Sequence, residues 1–302
     1  MFYRYTRELS TARYRFNTRR IYRTAPVTCD PTGAVAFVSQ VCHRDLGMYL
    51  LAVKSLARYV LPNGVFVLDD GSLTEHDKLI LYSHIIGLEI LPVSSVKNSD
   101  CPTGGCWERL LFIADTVGTT YVIQVDSDTL TVREPIAVQR HIEENGSFTL
   151  GEWRGQEIVN AKEAADQVID KVKSGSLHVQ MLSEASLHQL ALDKQLKYVR
   201  GGAGFAGFAK ESFSRDVVEG FSAAMAGVLG EKKWSEWGSE QVTSNLIVAN
   251  CPKAAVLPFP EYCFHRPDID VESATLVHFI GTYRFHGGRY ARLAKRVLSG
   301  LR

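Results

Sequence analysis

Tyr121-Val122-Ile123-Gln124-Val125-Asp126-Ser127-Asp128 reads as a short, almost wholly apolar strand that stops abruptly in two acids. In extended backbone residues i and i+2 project to the same side, so Asp126 and Asp128 present both carboxylates to one point. Two hard oxygen ligands suit Mg²⁺ or Mn²⁺, and such an ion also holds a diphosphate. An isolated D-x-D is short and common, and acids after a buried strand are more often water-facing turn residues, so the surrounding chain has to decide.

Upstream, β-branched runs at 34–41, 64–68 and 88–91 alternate with helical periodicities at 48–60, 74–86 and 106–117, Thr74 being an N-cap candidate. The order β-α-β-α-β-α-β predicts a mainly parallel central sheet flanked by helices. Ligands bind such sheets at the carboxyl ends of the strands. A second acidic strand end, Asp69-Asp70-Gly71-Ser72, therefore joins the first as a candidate, with Asp70 equally explained as turn chemistry. Downstream, 161–196 reads as helical and polar, followed by a short strand at 196–199, a glycine-rich strand region, helices from Phe213 and Ser239, and a last strand at 275–279. One continuous domain over 34–286 is expected, with a nucleotide-binding half (34–134) and an acceptor half (135–286). A basic aromatic segment (1–33) precedes it and a basic helix (287–302) follows.

The last strand supplies the context the acids need. Leu276-Val277 leads into His278-Phe279-Ile280-Gly281, with Arg284 three residues on. An imidazole there offers a third ligand to the same ion, and the guanidinium pairs bidentately with phosphate. A strand-end D-x-D together with a C-terminal H-x-x-G is much rarer by accident than either alone.

Three segments in order carry a family resemblance. The first is Trp107-Glu108-Arg109-Leu110-Leu111 with the strand ending in Asp126-Ser127-Asp128. The second is Gly202 to Phe208 with Gly238-Ser239-Glu240-Gln241 and Asn245. The third is His278-Phe279-Ile280-Gly281 and Arg284. Together they resemble the GT-A-fold (Rossmann-related) glycosyltransferases, most of all family 8, which are retaining enzymes that use nucleotide-sugar donors. The resemblance implies that Asp126 touches ribose and metal, and that Asp128 and His278 are metal ligands. It places Arg109 on the donor sugar or diphosphate and Asp70 near the base. Gly202, Gly281 and Arg284 fall to the donor, and Glu240 and Gln241 lie under the anomeric carbon, where a retaining mechanism needs a nucleophile or a cation-stabilising group. It also implies a Mn²⁺ or Mg²⁺ cofactor, a UDP-sugar donor, and a hydroxyl acceptor on a saccharide, a lipid-linked carrier or a protein. Helical periodicity sets Arg109 off the apolar face of its helix, so a solvated arginine is the competing reading. The sequence departs from the family at Glu240, where Asp is usual, at Arg284 for Lys, at Phe285-His286 for Pro-Trp, and at Ser39-Gln40-Val41-Cys42-His43 for Ala-x-Asp.

Two other motifs compete. Gly202-Ala203-Gly204-Phe205-Ala206-Gly207 satisfies G-x-G-x-x-G, but a dinucleotide fold requires an acid-ended strand about 20 residues on, and 219–225 reads as helix. The fingerprint is read as accidental. The acidic pair also suggests a haloacid-dehalogenase-like phosphatase with Asp126 as nucleophile, although Leu130 stands where that motif has Thr. A non-catalytic nucleotide or carbohydrate binder is the alternative from another class.

Net charge is +1 over 302 residues, which excludes a general nucleic-acid binder. Its distribution is uneven. Residues 1–24 hold seven Arg and one Glu, 284–302 hold six Lys or Arg and no acid, and the stretch between carries −11. Phe2, Tyr3, Tyr5, Tyr14, Phe16 and Tyr22 interleave one basic end, Phe285 and Tyr290 the other. These ends read either as solvated segments or as contacts to an anionic membrane face, each cation near the surface contributing about 1 kcal/mol. No apolar run reaches the roughly 20 residues of a membrane span. Six scattered cysteines without a C-x-x-C fit a reduced, cytoplasmic location, peripheral at the inner membrane face if the basic ends bind there. Cys101 and Cys106 bracket Pro-Thr-Gly-Gly, as a bridge or as a flexible loop.

Overall fold

The computed structural model describes residues 2–190 and 195–301, the side chains of 2–7 and 282 excepted. Helix α1 (Phe2–Thr18) precedes the alternating half. That half runs β1 (Val35–Val41), α2 (Leu46–Ala57), β2 (Gly64–Asp69), α3 (Glu75–His84), β3 (Leu88–Pro92), α4 (Trp107–Thr116) and β4 (Tyr121–Val125). Next come β5 (Thr129–Thr131), β6 (Phe148–Gly151), α5 (Ala161–Lys173), α6 (Val179–Ser186), β7 (Gly201–Phe208) and α7 (Arg215–Leu229). The chain closes with α8 (Ser239–Asn250), β8 (Ala255–Val256), β9 (Tyr262–Phe264), β10 (Leu276–His278) and α9 (Arg289–Ser299).

The central sheet has seven strands in the order β8-β6-β7-β4-β1-β2-β3. All pairs are parallel except those made by β7, which runs against both β6 and β4. This is the mainly parallel, helix-flanked α/β sheet that the alternation predicts. Phe37, Ile123 and Phe205 face one apolar cluster while their chain neighbours Val38, Val122 and Ala206 face the other. With both faces covered, alternation disappears from the strand sequences, and this is why β4 reads as a continuous apolar run. Thr74 caps α3 in a full capping box: its hydroxyl accepts from the Asp77 amide, and the Asp77 carboxylate accepts from the Thr74 amide.

Several boundaries differ from the sequence expectation. Helix α2 covers Leu46–Ala57 rather than 48–60, so it starts a half-turn earlier and ends before Pro62. The polar stretch 161–196 splits into α5 and α6 around Gly175, whose positive φ of 102° ends the first helix; residues 191–194 of it lie outside the described residues. The strand expected at 196–199 is only Lys197–Tyr198, paired antiparallel with Val159–Asn160. G-x-G-x-x-G is no phosphate loop: it is β7 itself, buried mid-sheet with a register shift between Gly202 and Ala206. All six cysteines are free thiols, so Cys101 and Cys106 form no bridge.

The two basic ends meet. Helix α1 packs on α9, with the Tyr14 ring 4.3 Å from that of Tyr290 and 5.4 Å from that of Phe285, and Asn17 Nδ2 donating to the Ala291 carbonyl. Tyr14 and Tyr290 are therefore core residues, while Phe16 and Tyr22 remain exposed. The side chains of Phe2, Tyr3 and Tyr5 lie outside the described residues. No described helix is long and apolar enough to cross a membrane.

Candidate active site

Beyond the carboxyl ends of β1, β2 and β4 lies a cavity of about 500 Å³. Asp70, Arg109, Asp126, Asp128, Gly202, Glu240, Gln241, His278, Gly281 and Arg284 all line it. Residues separated by more than 200 positions thus share one space.

A second, three-stranded sheet makes the central contact. β10 lies between β9 and β5, parallel to the first and antiparallel to the second, and sets His278 opposite Thr129. The Phe279 amide donates to the Asp128 carbonyl at 2.8 Å and fixes that register. His278 Nε2 then lies 3.0 Å from Asp128 Oδ1 and 3.8 Å from Asp126 Oδ2. Ligand atoms of Asp126, Asp128 and His278 all fall within 4.8 Å of one another. Metal–oxygen bonds of about 2.1 Å place ligands about 3 Å apart at right angles and about 4.2 Å apart when opposed, so the 3.0 and 3.8 Å separations suit one small divalent cation, while the 4.8 Å bound asks for a small side-chain adjustment.

Arg284 Nη2 donates to Asp128 Oδ2 at 2.6 Å, and Nη1 reaches Asp45 at 3.8 Å. Burial works to raise the Asp128 carboxyl, but the His278 ring and the Arg284 guanidinium outweigh it and hold that carboxyl below its usual range. His278 answers in kind: burial lowers it, but Asp128 and then Asp126 raise it above the ordinary imidazole value.

A second group forms where two helices start. Trp107 Nε1 donates to Ser239 Oγ at 3.0 Å and ties the first turn of α4 to that of α8. This places Arg109 beside Glu240, with Nη2 3.5 Å from Oε1, and Arg109 Nη1 also donates to Asp126 Oδ1. Arg109 is buried at 3% exposure. Of the two readings of Arg109 the solvated one fails, because α4 is covered by α8 as well as by the sheet and the side chain lines the cavity. Glu240 is buried too, and burial, reinforced by Asp126 and opposed by Arg109, raises its carboxyl to about 7. The amide Nε2 of Gln241 and the Nδ2 of Asn245 both donate to the Gly201 carbonyl. Asp70 is exposed at the cavity edge, where its Oδ1 accepts from the amide and hydroxyl of Ser72.

The sequence reading missed Gly204, Asp45, Cys106 and Trp237, which line the same cavity. A Cβ on Gly204 would stand 1.9 Å from His278 Cε1, so the glycine is the hollow into which the imidazole fits. Its only sequence signal is a glycine inside a strand, which marks a close approach without naming the partner. Cys106, at φ 73°, turns the chain into α4. Trp237, 67% exposed at the rim, and Asp45 gave no signal at all.

The raised Glu240 carboxyl predicts a pH-dependent stability. Unfolded, it releases its proton near 4.5; folded, near 7, so between these values the unfolded state binds fewer protons and stability falls as pH rises. The span corresponds to on the order of 3 kcal/mol. Thermal unfolding of Glu240→Gln is expected to show a flatter profile across that window and a higher Tm than the parent at pH 8; parallel profiles would refute it.

No protein-family model matches this chain, and no curated protein is significantly similar to it. Among solved structures it is similar to the WbbM bifunctional glycosyltransferase in its apo form, at 13% identity over 83% of this chain and 46% of that one, with a TM-score of 0.48. It therefore spans about half the length of that protein. It is also similar to mouse xyloside xylosyltransferase 1, at 9% identity over 84% of this chain and 98% of that one, TM-score 0.42. A third similarity is to the galactosyltransferase LgtC in complex with donor and acceptor sugar analogs, at 10% identity over 86% and 95%, TM-score 0.41. Likeness at this level says nothing about chemistry, which rests on the chain's own residues.

Proposed function

We propose that the chain is a metal-dependent glycosyltransferase that moves a sugar from a nucleoside-diphosphate donor, a UDP-sugar by the family resemblance, to a hydroxyl acceptor with retention at the anomeric carbon. The observation that carries this reading is the Asp126–Asp128–His278 cluster opening on a cavity at the carboxyl ends of the strands. Transfer forms the bond between the acceptor oxygen and the anomeric carbon and breaks the bond from that carbon to the diphosphate, which leaves with the electron pair while the hydroxyl gives up its proton.

Asp126, Asp128 and His278 are assigned to a Mn²⁺ or Mg²⁺ ion, which when bound supplies Lewis-acid stabilisation of the diphosphate. The chain adds positive charge of its own. Arg284 stands beside the cluster, and Gly105, Cys106 and Gly238, which line the cavity, precede the first turns of α4 and α8, where unpaired amides and the helix dipole favour anions. Arg109 neutralises Asp126 and Glu240 together. With its carboxyl raised to about 7, Glu240 can take up or release a proton near neutral pH, and its ionised form would be the one to face positive charge developing on the sugar.

The test is donor turnover. Purified protein with Mn²⁺ and a panel of nucleotide sugars is expected to release nucleoside diphosphate slowly even without acceptor. No release from any donor, together with no metal-dependent UDP binding, would overturn the proposal. Hydrolysis of an aryl phosphate that disappears in Asp126→Asn would favour the phosphatase instead.

A further inference from the structure

A second cavity, of about 1000 Å³, lies between the basic N-terminal helix and the core. It shares Arg44, Asp45, Gly281 and Arg284 with the first, so the two are adjacent. Its outer wall is one face of α1 and the turn after it: Thr11, Tyr14, Arg15, Thr18, Arg19 and Tyr22 recur at the spacing of a helical stripe. Its floor is apolar, made by Ile21, Leu46, Met48 and Phe285. The charge on it is one-sided. Arg15 and Arg19 are exposed and have no carboxylate partner among the described residues, Arg19 lying only over the Phe16 ring. Arg44, 77% exposed, makes a long contact of 3.4 Å to Asp45. Both acids of the cavity face cationic or hydrogen-bonding partners on its own wall, Asp45 between Arg44 at 3.4 Å and Arg284 at 3.8 Å, and Asp77 with His43 and the α3 cap, which leaves Arg15 and Arg19 without an acid.

A neutral saccharide uses donors and acceptors in mixture, whereas a cluster of guanidiniums with no free acid beside it favours an anion. Guanidiniums pair with phosphate oxygens, and an apolar floor accepts a hydrocarbon. We propose that this cavity, lined mainly by residues 11–80 and not by the 135–286 half in which the acceptor was expected, is the acceptor site and takes a phosphate group joined to an apolar chain, with the part to be glycosylated reaching the first cavity past Arg284. The proposal rests on the reading of the first cavity given above.

The test is calorimetric titration of the full chain with dodecyl phosphate below its micelle concentration, and in parallel with dodecyl maltoside, inorganic phosphate, and vesicles of phosphatidylglycerol and phosphatidylcholine. Dodecyl phosphate is expected to bind at least ~10-fold tighter than the maltoside or inorganic phosphate, and Arg15→Ala/Arg19→Ala to lose ~10-fold, as the loss of charged hydrogen bonds implies, while Arg15→Lys/Arg19→Lys keeps most of it. Both arginines are exposed, and an unchanged Tm for these variants checks the fold. Equal binding of the maltoside overturns the anion half of the proposal, and equal binding of inorganic phosphate overturns the apolar half. Charge-dependent vesicle binding without binding of the monomer makes the face a membrane contact and overturns the cavity. Mn²⁺-dependent UDP binding is read on the same protein. If it stands while dodecyl phosphate fails, only this inference falls. If it fails while dodecyl phosphate binds, the acceptor role is overturned along with the reading of the first cavity.

Discussion

Gly204→Ala is expected to cost about 100-fold in donor turnover, the penalty of displacing an active-site group by an ångström. The added methyl would lie 1.9 Å from His278 Cε1, 2.5 Å from Nδ1 and 2.6 Å from Nε2, distances no real side chain tolerates. The ring is 2% exposed and packed 5.4 Å from Phe264, so the only room it is given is the cavity, and moving there carries Nε2 away from Asp128. The strand has little freedom either, since the Gly204 carbonyl accepts from the Asp126 amide at 2.8 Å and any shift moves a second member of the cluster. Overpacking should also lower stability by about 1–3 kcal/mol. Gly220→Ala in α7 is the control, because its Cβ meets nothing within 4 Å and is expected to be neutral or mildly stabilising. Mn²⁺-dependent UDP affinity measured beside Tm separates the two effects. A Gly204→Ala protein with parental turnover would remove His278 from the site.

Asp128→Asn carries the other large effect. It removes a buried anion held between His278 Nε2 at 3.0 Å and Arg284 Nη2 at 2.6 Å, and leaves the guanidinium and the imidazole without their shared partner. Breaking one member of such a buried set costs on the order of 3 kcal/mol. It also halves the carboxylates available to a divalent cation, so metal-dependent UDP binding should vanish and turnover should fall by about 10³, the several kcal/mol that such an ion contributes. Adding Arg284→Ala is expected to recover part of the stability but none of the binding, because it removes the orphaned charge without restoring a ligand. Additive losses in the double variant, or parental UDP binding in Asp128→Asn, would contradict this account.

Much of the site was legible because its signals are local. An extended strand puts Asp126 and Asp128 on one side whatever surrounds them, and a histidine at the end of an apolar run before a turn glycine is visible in four residues. Arg109 shows where that legibility ends. A helical wheel assumes one buried face, whereas α4 is buried on two, and the second cover is α8, more than 120 residues away in sequence. Glu240 was a candidate by position alone; its raised carboxyl depends on the burial that α4, α8 and the Trp107–Ser239 hydrogen bond impose together. The glycines of β7 read as a false nucleotide fingerprint because a sequence shows that a side chain is missing and not what fills its space.

By itself the sequence determined the alternating α/β order, the acids at the strand end and the histidine and arginine downstream, since backbone period and residue chemistry act over a few neighbours. Only the tertiary structure decided that the two acids and the histidine meet within 4.8 Å with the arginine on Asp128, that Gly204 is the hollow for His278, and that the two basic ends close one cavity instead of two separate tails. Each of these is a contact between segments far apart in the chain. Packing of a shared core sets such contacts, and no period within one segment encodes them.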